Sequence, residues 1–434
     1  MLELSYYGDD FTGSTDVLEA LSGNGIPTVL FTRIPTDAQL AQFSDVRAVG
    51  LAGESRSRSP EWMDAHLPAA FEWLKSLEAR HCHYKVCSTF DSAPNIGSIG
   101  RAAELGMAVF GQTFLNVVIG APELRRYTLF GTLFASYQDK VYRIDRHPVM
   151  SRHPATPMAE ADLRRHLSDQ TTMQVGGIDP DAALGVSDLE ALRNGRAAGD
   201  RISIIDVYDD ASQARAGALI EDALSETGSY VVGSSGVEYA LLEAWRDAGI
   251  VDPATDIPVL DRKDVIAIVS GSCSPTTERQ IQTALRNGFV GVAVDYKALA
   301  HGQGAEDAME KAFTQADAAI RLGHSPILYT ALGAPAEAQP AASNDKVGRA
   351  LGRLLQNLMD AHPIDRVGVA GGDTSSHALS ALDTFALTLR RPLPDTPGSP
   401  VCVAHRDGQS TFEIALKGGQ VGSDEYFVNL RDGL

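Results

Sequence analysis

Short apolar runs that end in polar, glycine-bearing loops recur along the chain, with helix-like stretches between them. Leu2–Tyr7 reads as a first strand. It ends in Gly8-Asp9-Asp10-Phe11-Thr12-Gly13, with a helix near Asp16–Gly23. Thr28–Thr32 and Val46–Gly53 read as the next strands, and the latter runs into Glu54-Ser55-Arg56-Ser57-Arg58. A helix follows over Pro60–Arg80, then a strand over His83–Val86 that runs into Cys87-Ser88-Thr89-Phe90-Asp91-Ser92. Asn116–Gly120, Ile202–Val207 and Tyr230–Val232 are further apolar runs. This alternation predicts an α/β fold with mostly parallel sheet.

Residues 246–261 carry Gly249, Pro253 and Pro258 without periodicity and read as an interdomain linker. It separates a domain at 1–250 from one at 262–434. In the second, Asp264–Val269 runs into Gly271-Ser272-Cys273-Ser274, and Val290–Val294 and Pro326–Thr330 are strands. Residues 334–344, rich in Ala and Pro, read as a loop, and Leu351–Ala361 as an amphipathic helix. Val367–Ala370 reads as a strand that turns at Gly371-Gly372, passes Asp373-Thr374-Ser375-Ser376 and enters a helix over His377–Phe385.

Composition narrows the class. The chain has 434 residues, 44% hydrophobic and 21% charged, which is ordinary for globular domains. A formal net charge of −19 works against nucleic acid and anionic membranes as partners. Four cysteines without a C-x-x-C pair make no disulfide framework, and the N-terminus has no secretory pattern, so a cytoplasmic protein is expected. No apolar run approaches the roughly 18 residues of a membrane span.

The chemistry collects in the loops after strands, where α/β folds keep their sites. Neither G-x-x-x-x-G-K-[ST] nor a G-x-G-x-x-G after the first strand is present, and two acids at that turn would repel a pyrophosphate. Asp9 and Asp10 fit a turn cap, a base for a hydroxyl proton, a polyol acceptor or a Mg²⁺ ligand. Lys85, Arg56 and Arg126 suit a substrate carboxylate, while Ser88, Thr89 and Asp91 suit sugar hydroxyls. Ser274 fits a helix N-cap before Pro275, and such a turn, like Gly371-Gly372, also suits a phosphate. His81-Cys82-His83 lacks a second ligand pair at zinc spacing.

Taken in order, these loops resemble the four-carbon acid sugar kinase family. Gly8–Gly13 is similar to its A-D-D-[FL]-T-G opening. Ser55-Arg56-Ser57 and Lys85–Ser92 resemble its sugar-acid loops, and Thr156-Pro157-Met158 its T-P-M segment. Gly233-Ser234-Ser235-Gly236 resembles its G-[GS]-S-G turn. Ser270–Ser274 and Ala370–Ser375 resemble its ATP-binding loops. The resemblance implies two α/β domains, each a mostly parallel sheet flanked by helices, with the active site in the cleft between them. The N-terminal domain would bind the sugar acid and the C-terminal domain ATP. Asp9 or Asp10 would be catalytic, and Arg56, Lys85, Ser88, Thr89, Asp91 and Arg126 would bind substrate. Ser272, Ser274, Gly371, Gly372, Asp373, Thr374, Gly419 and Gly422 would meet ATP, with Mg²⁺ as companion ion and Asp373 its candidate ligand.

The implied reaction is phosphorylation of a terminal hydroxyl of a tetronate or 3-oxo-tetronate. The chain departs from the family's P-A-x-P-x-x-G-R-T at Gly120–Tyr127, in the substrate half, so a branched acid such as 3-oxo-isoapionate is the alternative. A non-catalytic sugar-acid-binding protein and an NAD-dependent sugar-acid dehydrogenase are the readings from other classes. A homodimer is the default assembly expected.

Overall fold

The structure is a computed structural model that describes residues 1–153, 155–251, 257–333, 341–393 and 396–434, without the side chains of 341–344 and 373. The chain divides into two compact units. One is Met1–Thr28 with Ile34–Thr255; the other is Val29–Arg33 with Asp256–Leu434.

The N-terminal half contains β1 (Leu4–Gly8), β2 (Thr28–Phe31), β3 (Ala48–Ala52), β4 (His81–Lys85), β5 (Leu115–Val118), β6 (Arg126–Leu129), β7 (Thr132–Tyr137), β8 (Lys140–Arg143), β9 (Val175–Ile178), β10 (Ile202–Ile205) and β11 (Tyr230–Gly233). In the first unit the strands lie in the order β3-β1-β4-β11-β5-β10-β9, all parallel. β1 and β4 are buried along their whole length, as expected where helices cover both faces of a sheet. Register decides where the loops emerge. Gly8 pairs with both Ala52 and Lys85, so the loops after β1, β3 and β4 leave the sheet at one level.

β6, β7 and β8 form a separate antiparallel sheet that the apolar pattern did not predict. Its first turn is Phe130-Gly131, with φ of 51° and 68°, a two-residue hairpin that needs left-handed backbone.

The second unit adds β12 (Ala267–Ser270), β13 (Val290–Ala293), β14 (Pro326–Tyr329), β15 (Arg366–Ala370), β16 (Thr384–Arg391), β17 (Val401–Arg406) and β18 (Phe412–Lys417). Its order is β13-β14-β12-β15-β18-β17-β16-β2. The first five strands are parallel and the rest antiparallel. Ser270 pairs with Ala370, and Ala370 with Lys417, so again three loops leave at one level.

Four sequence expectations shift. β2, from the N-terminal half, completes the second unit's sheet. Its four residues are all buried, and Phe31 stacks on Phe385 at 6.5 Å. An all-apolar strand carries no mark of which sheet edge it will cover. The expected helix over His377–Phe385 is instead Gly372–Ala381, and Phe385 lies in β16. Asp373–Ser376 are therefore that helix's first turn, not a loop. Within 334–344, residues 334–340 lie outside the described residues, and a helix already runs from Ala341 to Ala361. The helix expected near Asp16–Gly23 begins earlier, at Phe11, because Asp10 caps it.

Candidate functional site

In the first unit, the three loops that leave together bring acids and cations into contact. Asp10 is the N-cap of the Phe11–Ser22 helix, and its Oδ1 accepts from Gly13 N at 2.6 Å. That leaves Oδ2 free to accept from Arg56 Nη1, also at 2.6 Å. The same guanidinium grips Asp9 bidentately, Nε to Oδ2 at 3.1 Å and Nη2 to Oδ1 at 2.7 Å. Asp9 is buried. Its desolvation outweighs the pull of Arg56 and raises its pKa to about 6. Burial works against the Arg56 charge, but Asp10 and Asp9 hold its pKa well above the usual value.

Lys85 ends β4 beneath this clamp. Its Nζ is buried 3.3 Å from Asp16 Oδ2, and Asp16 offsets the burial that would lower its pKa. A Cβ on Gly13 would stand 2.7 Å from Asp10 Oδ1 and 3.3 Å from Lys85 Nζ, so this helix turn closes on the cluster only as glycine.

Asp91 is buried alongside. Thr89 Oγ1 donates to its Oδ1 and Thr156 Oγ1 to its Oδ2 at 3.1 Å, with His153 Nδ1 at 4.0 Å. Burial opposes ionisation, yet Arg56 and these donors hold its pKa below the ordinary value. Arg126 is half-buried at the start of β6. Its Nη1 donates to the Leu124 and Arg125 carbonyls at 3.0 and 3.2 Å, while its Nε is buried without a partner. Burial pushes its pKa down, and the nearby Cys87 works against that shift. Ser88 is half-buried in the same loop.

The second unit repeats the design. Ser274 caps the Pro275–Arg286 helix, its Oγ accepting from Thr276 N at 3.1 Å, and Pro275 takes the first helical position. Gly371 caps the Gly372–Ala381 helix with φ 120°, a backbone that glycine alone adopts easily. A Cβ there would meet Thr374 Oγ1 at 2.9 Å, whereas nothing lies within 4 Å of a Cβ on Gly372. A Cβ on Gly419 would stand 3.1 Å from Ser272 Oγ and 3.2 Å from Ser274 Cβ. Two helix N-termini and a glycine loop thus converge, a combination suited to phosphate groups.

Two family models cover most of the chain: a sugar-binding N-terminal domain at residues 4–241 and a nucleotide-binding C-terminal domain at 267–427. The chain belongs to the four-carbon acid sugar kinase family. A 3-oxo-isoapionate kinase of Paraburkholderia graminis is 44% identical over 100% of this chain and 94% of its own. A 3-oxo-tetronate kinase of Cupriavidus necator is 30% identical over 98% of this chain and 95% of its own. A solved Haemophilus influenzae protein shares the fold, with a TM-score of 0.72 at 23% identity over 98% of this chain and 99% of that one. This family member is a sugar-acid kinase with ATP as phosphate donor.

The structure bonds Asp9, Asp10 and Arg56 together in the sugar-binding unit, with Lys85 and the bonded Thr89–Asp91 pair within electrostatic reach of them. Ser272, Ser274, Gly371, Thr374 and Gly419 meet in the nucleotide-binding unit. Gly422 stands apart from them. It packs on Thr396 and Tyr426 in a loop whose carbonyls at Val421, Gly422 and Ser423 all accept from Gln280 Nε2. The Asp373 side chain lies outside the described residues. His81 and His83 bond Glu221 and Glu238 instead of each other's neighbours.

Sequence reasoning passed over Asp16, Thr277 and Lys417, and it set His153 aside as an isolated, hydrogen-bonded histidine. Lys417 carried the same signal as Lys85, a lysine closing an apolar strand before a polar turn. The glycines after it drew the attention instead.

Proposed function

We propose that this sugar-acid kinase acts on a branched acid of the 3-oxo-isoapionate type, moving the γ-phosphate of ATP to a terminal hydroxyl. The observation that carries the choice of acid is the 44% identity, over the whole chain, to a 3-oxo-isoapionate kinase. The 3-oxo-tetronate kinases, at 30% for the Cupriavidus necator protein, make a straight-chain 3-oxo-tetronate the second substrate class.

In this reading Asp9 is the base. Its raised pKa of about 6 suits accepting a hydroxyl proton near neutrality. Asp10 positions the turn and shares Arg56, which gives three of its five N–H donors to the two acids. The substrate carboxylate is assigned to Arg126, whose buried Nε lacks a partner among the described residues. Asp91, kept ionised, accepts from sugar hydroxyls together with Ser88 and Thr89. Lys85 supports the charge on Asp9. Ser274, Gly371, Gly372, Thr374 and Gly419 meet the ATP phosphates.

Mg²⁺ accompanies ATP in this proposal and would neutralise phosphate charge. It binds phosphate oxygens and waters with one or two carboxylates, so it needs no preformed protein cage. Among the described residues no group of three or more His, Cys, Asp or Glu side chains is arranged to hold a metal. Phosphoryl transfer of this kind rests on positioning and charge neutralisation, and it requires the two substrates to meet away from water. In this reading the sugar acid binds the first unit and ATP the second. No helix among the described residues is long and apolar enough to cross a membrane. A cytoplasmic homodimer completes the proposal.

An ADP-release assay across straight C4 and branched C5 sugar acids tests it. The branched 3-oxo acid should give the highest kcat/KM; a preference for tetronates would transfer the assignment to the second class. NADH formation without ADP would end the kinase reading.

A further inference from the structure

Among the described residues the mechanism above leaves two fully buried cations unused, and of these Arg366 is paired with Glu413 whereas Lys417 is not paired with an acid. Lys417 closes β18 and is fully buried. Its Nζ donates to Thr277 Oγ1 at 3.0 Å and Gly418 O at 2.8 Å, with Gly419 O at 3.5 Å and the Tyr426 ring 5.9 Å away. Among the described residues it has no carboxylate partner, and burial lowers its pKa to about 7. Lys85 is the instructive contrast. It is as deeply buried and closes an equivalent strand, but it has Asp16 beside it and its pKa is raised. A buried charge without a counterion is costly unless an anion comes to it.

Hydrogen-bond accounting gives the lysine a direction of action. An ammonium only donates. Thr277 Oγ1 must therefore accept from it, and the single Thr277 proton goes to Gly419 O at 3.1 Å. Ser272 Oγ, 3.0 Å from Thr277 Oγ1, must then donate to it, while accepting from Ser274 N at 3.3 Å. Ser272 is thereby a strut whose proton is committed. The Ser274 oxygen accepts from its helix, and among the described residues its proton has no acceptor and can serve a ligand. The network pins Gly419 against the Ser272–Ser274 turn.

We propose that Lys417 is the residue that positions ATP: its Nζ fixes the Gly418–Gly419 segment, and the ammonium that forms as ATP arrives holds the phosphates at the two helix N-termini. This inference rests on ATP binding to the second unit. Phosphate arrival favours the charged lysine, so ATP binding near pH 8 takes up a proton. No other described group competes for that role at Nζ. Thr277 faces it from the Pro275–Arg286 helix and Tyr426 from the Tyr426–Asp432 helix. Its β15 neighbour is Ala370, and the pairing with β17 stops at Ala415. His377, on the Gly372–Ala381 helix, bonds Asp345.

The test has two arms. Calorimetry of ATP binding to the wild-type protein at pH 8, in two buffers of different ionisation heat, should show uptake of about half a proton or more. Lys417→Met should raise KM for ATP about tenfold or more, the loss of one charge-assisted interaction, with KM for the sugar acid within about twofold. Lys417→Arg should recover part of the ATP affinity without the proton uptake. Either no uptake by the wild type, or a KM for ATP within twofold in Lys417→Met, overturns the inference. If Lys417→Met does not fold, the wild-type arm decides. A wild-type protein that binds no nucleotide at all would instead defeat the assignment of ATP to this unit.

Discussion

Asp9 and Arg56 set the chemistry at the scale of single residues. Asp9→Asn removes the base and should lower kcat by about 10²–10⁴-fold while KM for both substrates stays near wild type; steady-state kinetics checks it. The pH profile should lose kcat/KM as pH falls through about 6, where Asp9 protonates. Arg56 favours the ionised form of Asp9, so Arg56→Met should move this acid limb upward. Stability carries the opposite sign. The Asp9 pKa is raised on folding, so its contribution is fully present below about 4 and is lost as pH rises through about 6. Asp9→Asn should therefore unfold at higher temperature than wild type above pH 6 and gain nothing below pH 4, as thermal melts would report. Much of this cluster was legible: acids and cations in loops after apolar runs mark a site whatever the fold. What the loops did not reveal was the division of labour. Arg56 reads as a carboxylate binder in isolation, and only its three bonds to Asp9 and Asp10 show that it also clamps the two acids.

At the scale of elements, the strand ends do the assembling, because parallel register brings three loops to one level in each unit. Gly371 and Gly372 separate fold from function. Gly371→Ala forces an L-residue into φ 120° and a contact with Thr374 Oγ1, and should cost about 1–3 kcal/mol in denaturant unfolding. Gly372→Ala meets nothing within 4 Å, so its stability should stay near wild type while KM for ATP rises, since the added methyl occupies the open side of the turn. The parallel strands were readable because burial on both faces makes them continuous apolar runs. The antiparallel β16–β18 and β6–β8 were not. Thr384–Arg391 has its pairing to β17 broken by register shifts, and its apolar start continues the helical pattern before it. β2 was legible as a strand but not as the second unit's edge, because its partner β16 lies more than 350 residues away in sequence.

For the whole molecule, the net charge of −19 makes the buried cations decisive. Two anionic substrates enter an acidic protein, and among the described residues Arg126 and Lys417 have no acidic partner in their own clusters. Because Lys417 is buried, KM for ATP should change less with added salt than the roughly power-law dependence of surface phosphate contacts, a comparison that kinetics at low and high salt supplies. With the sugar acid assigned to one unit and ATP to the other, neither unit alone completes a reaction. The most direct test is to incubate the protein with ATP, Mg²⁺ and the branched 3-oxo acid, and to follow ADP and the acid by mass spectrometry. The account predicts one phosphate on the acid for every ADP formed, and almost no ADP when the acid is left out. ADP released at the same rate without the acid, or with no phosphorylated acid, would contradict it.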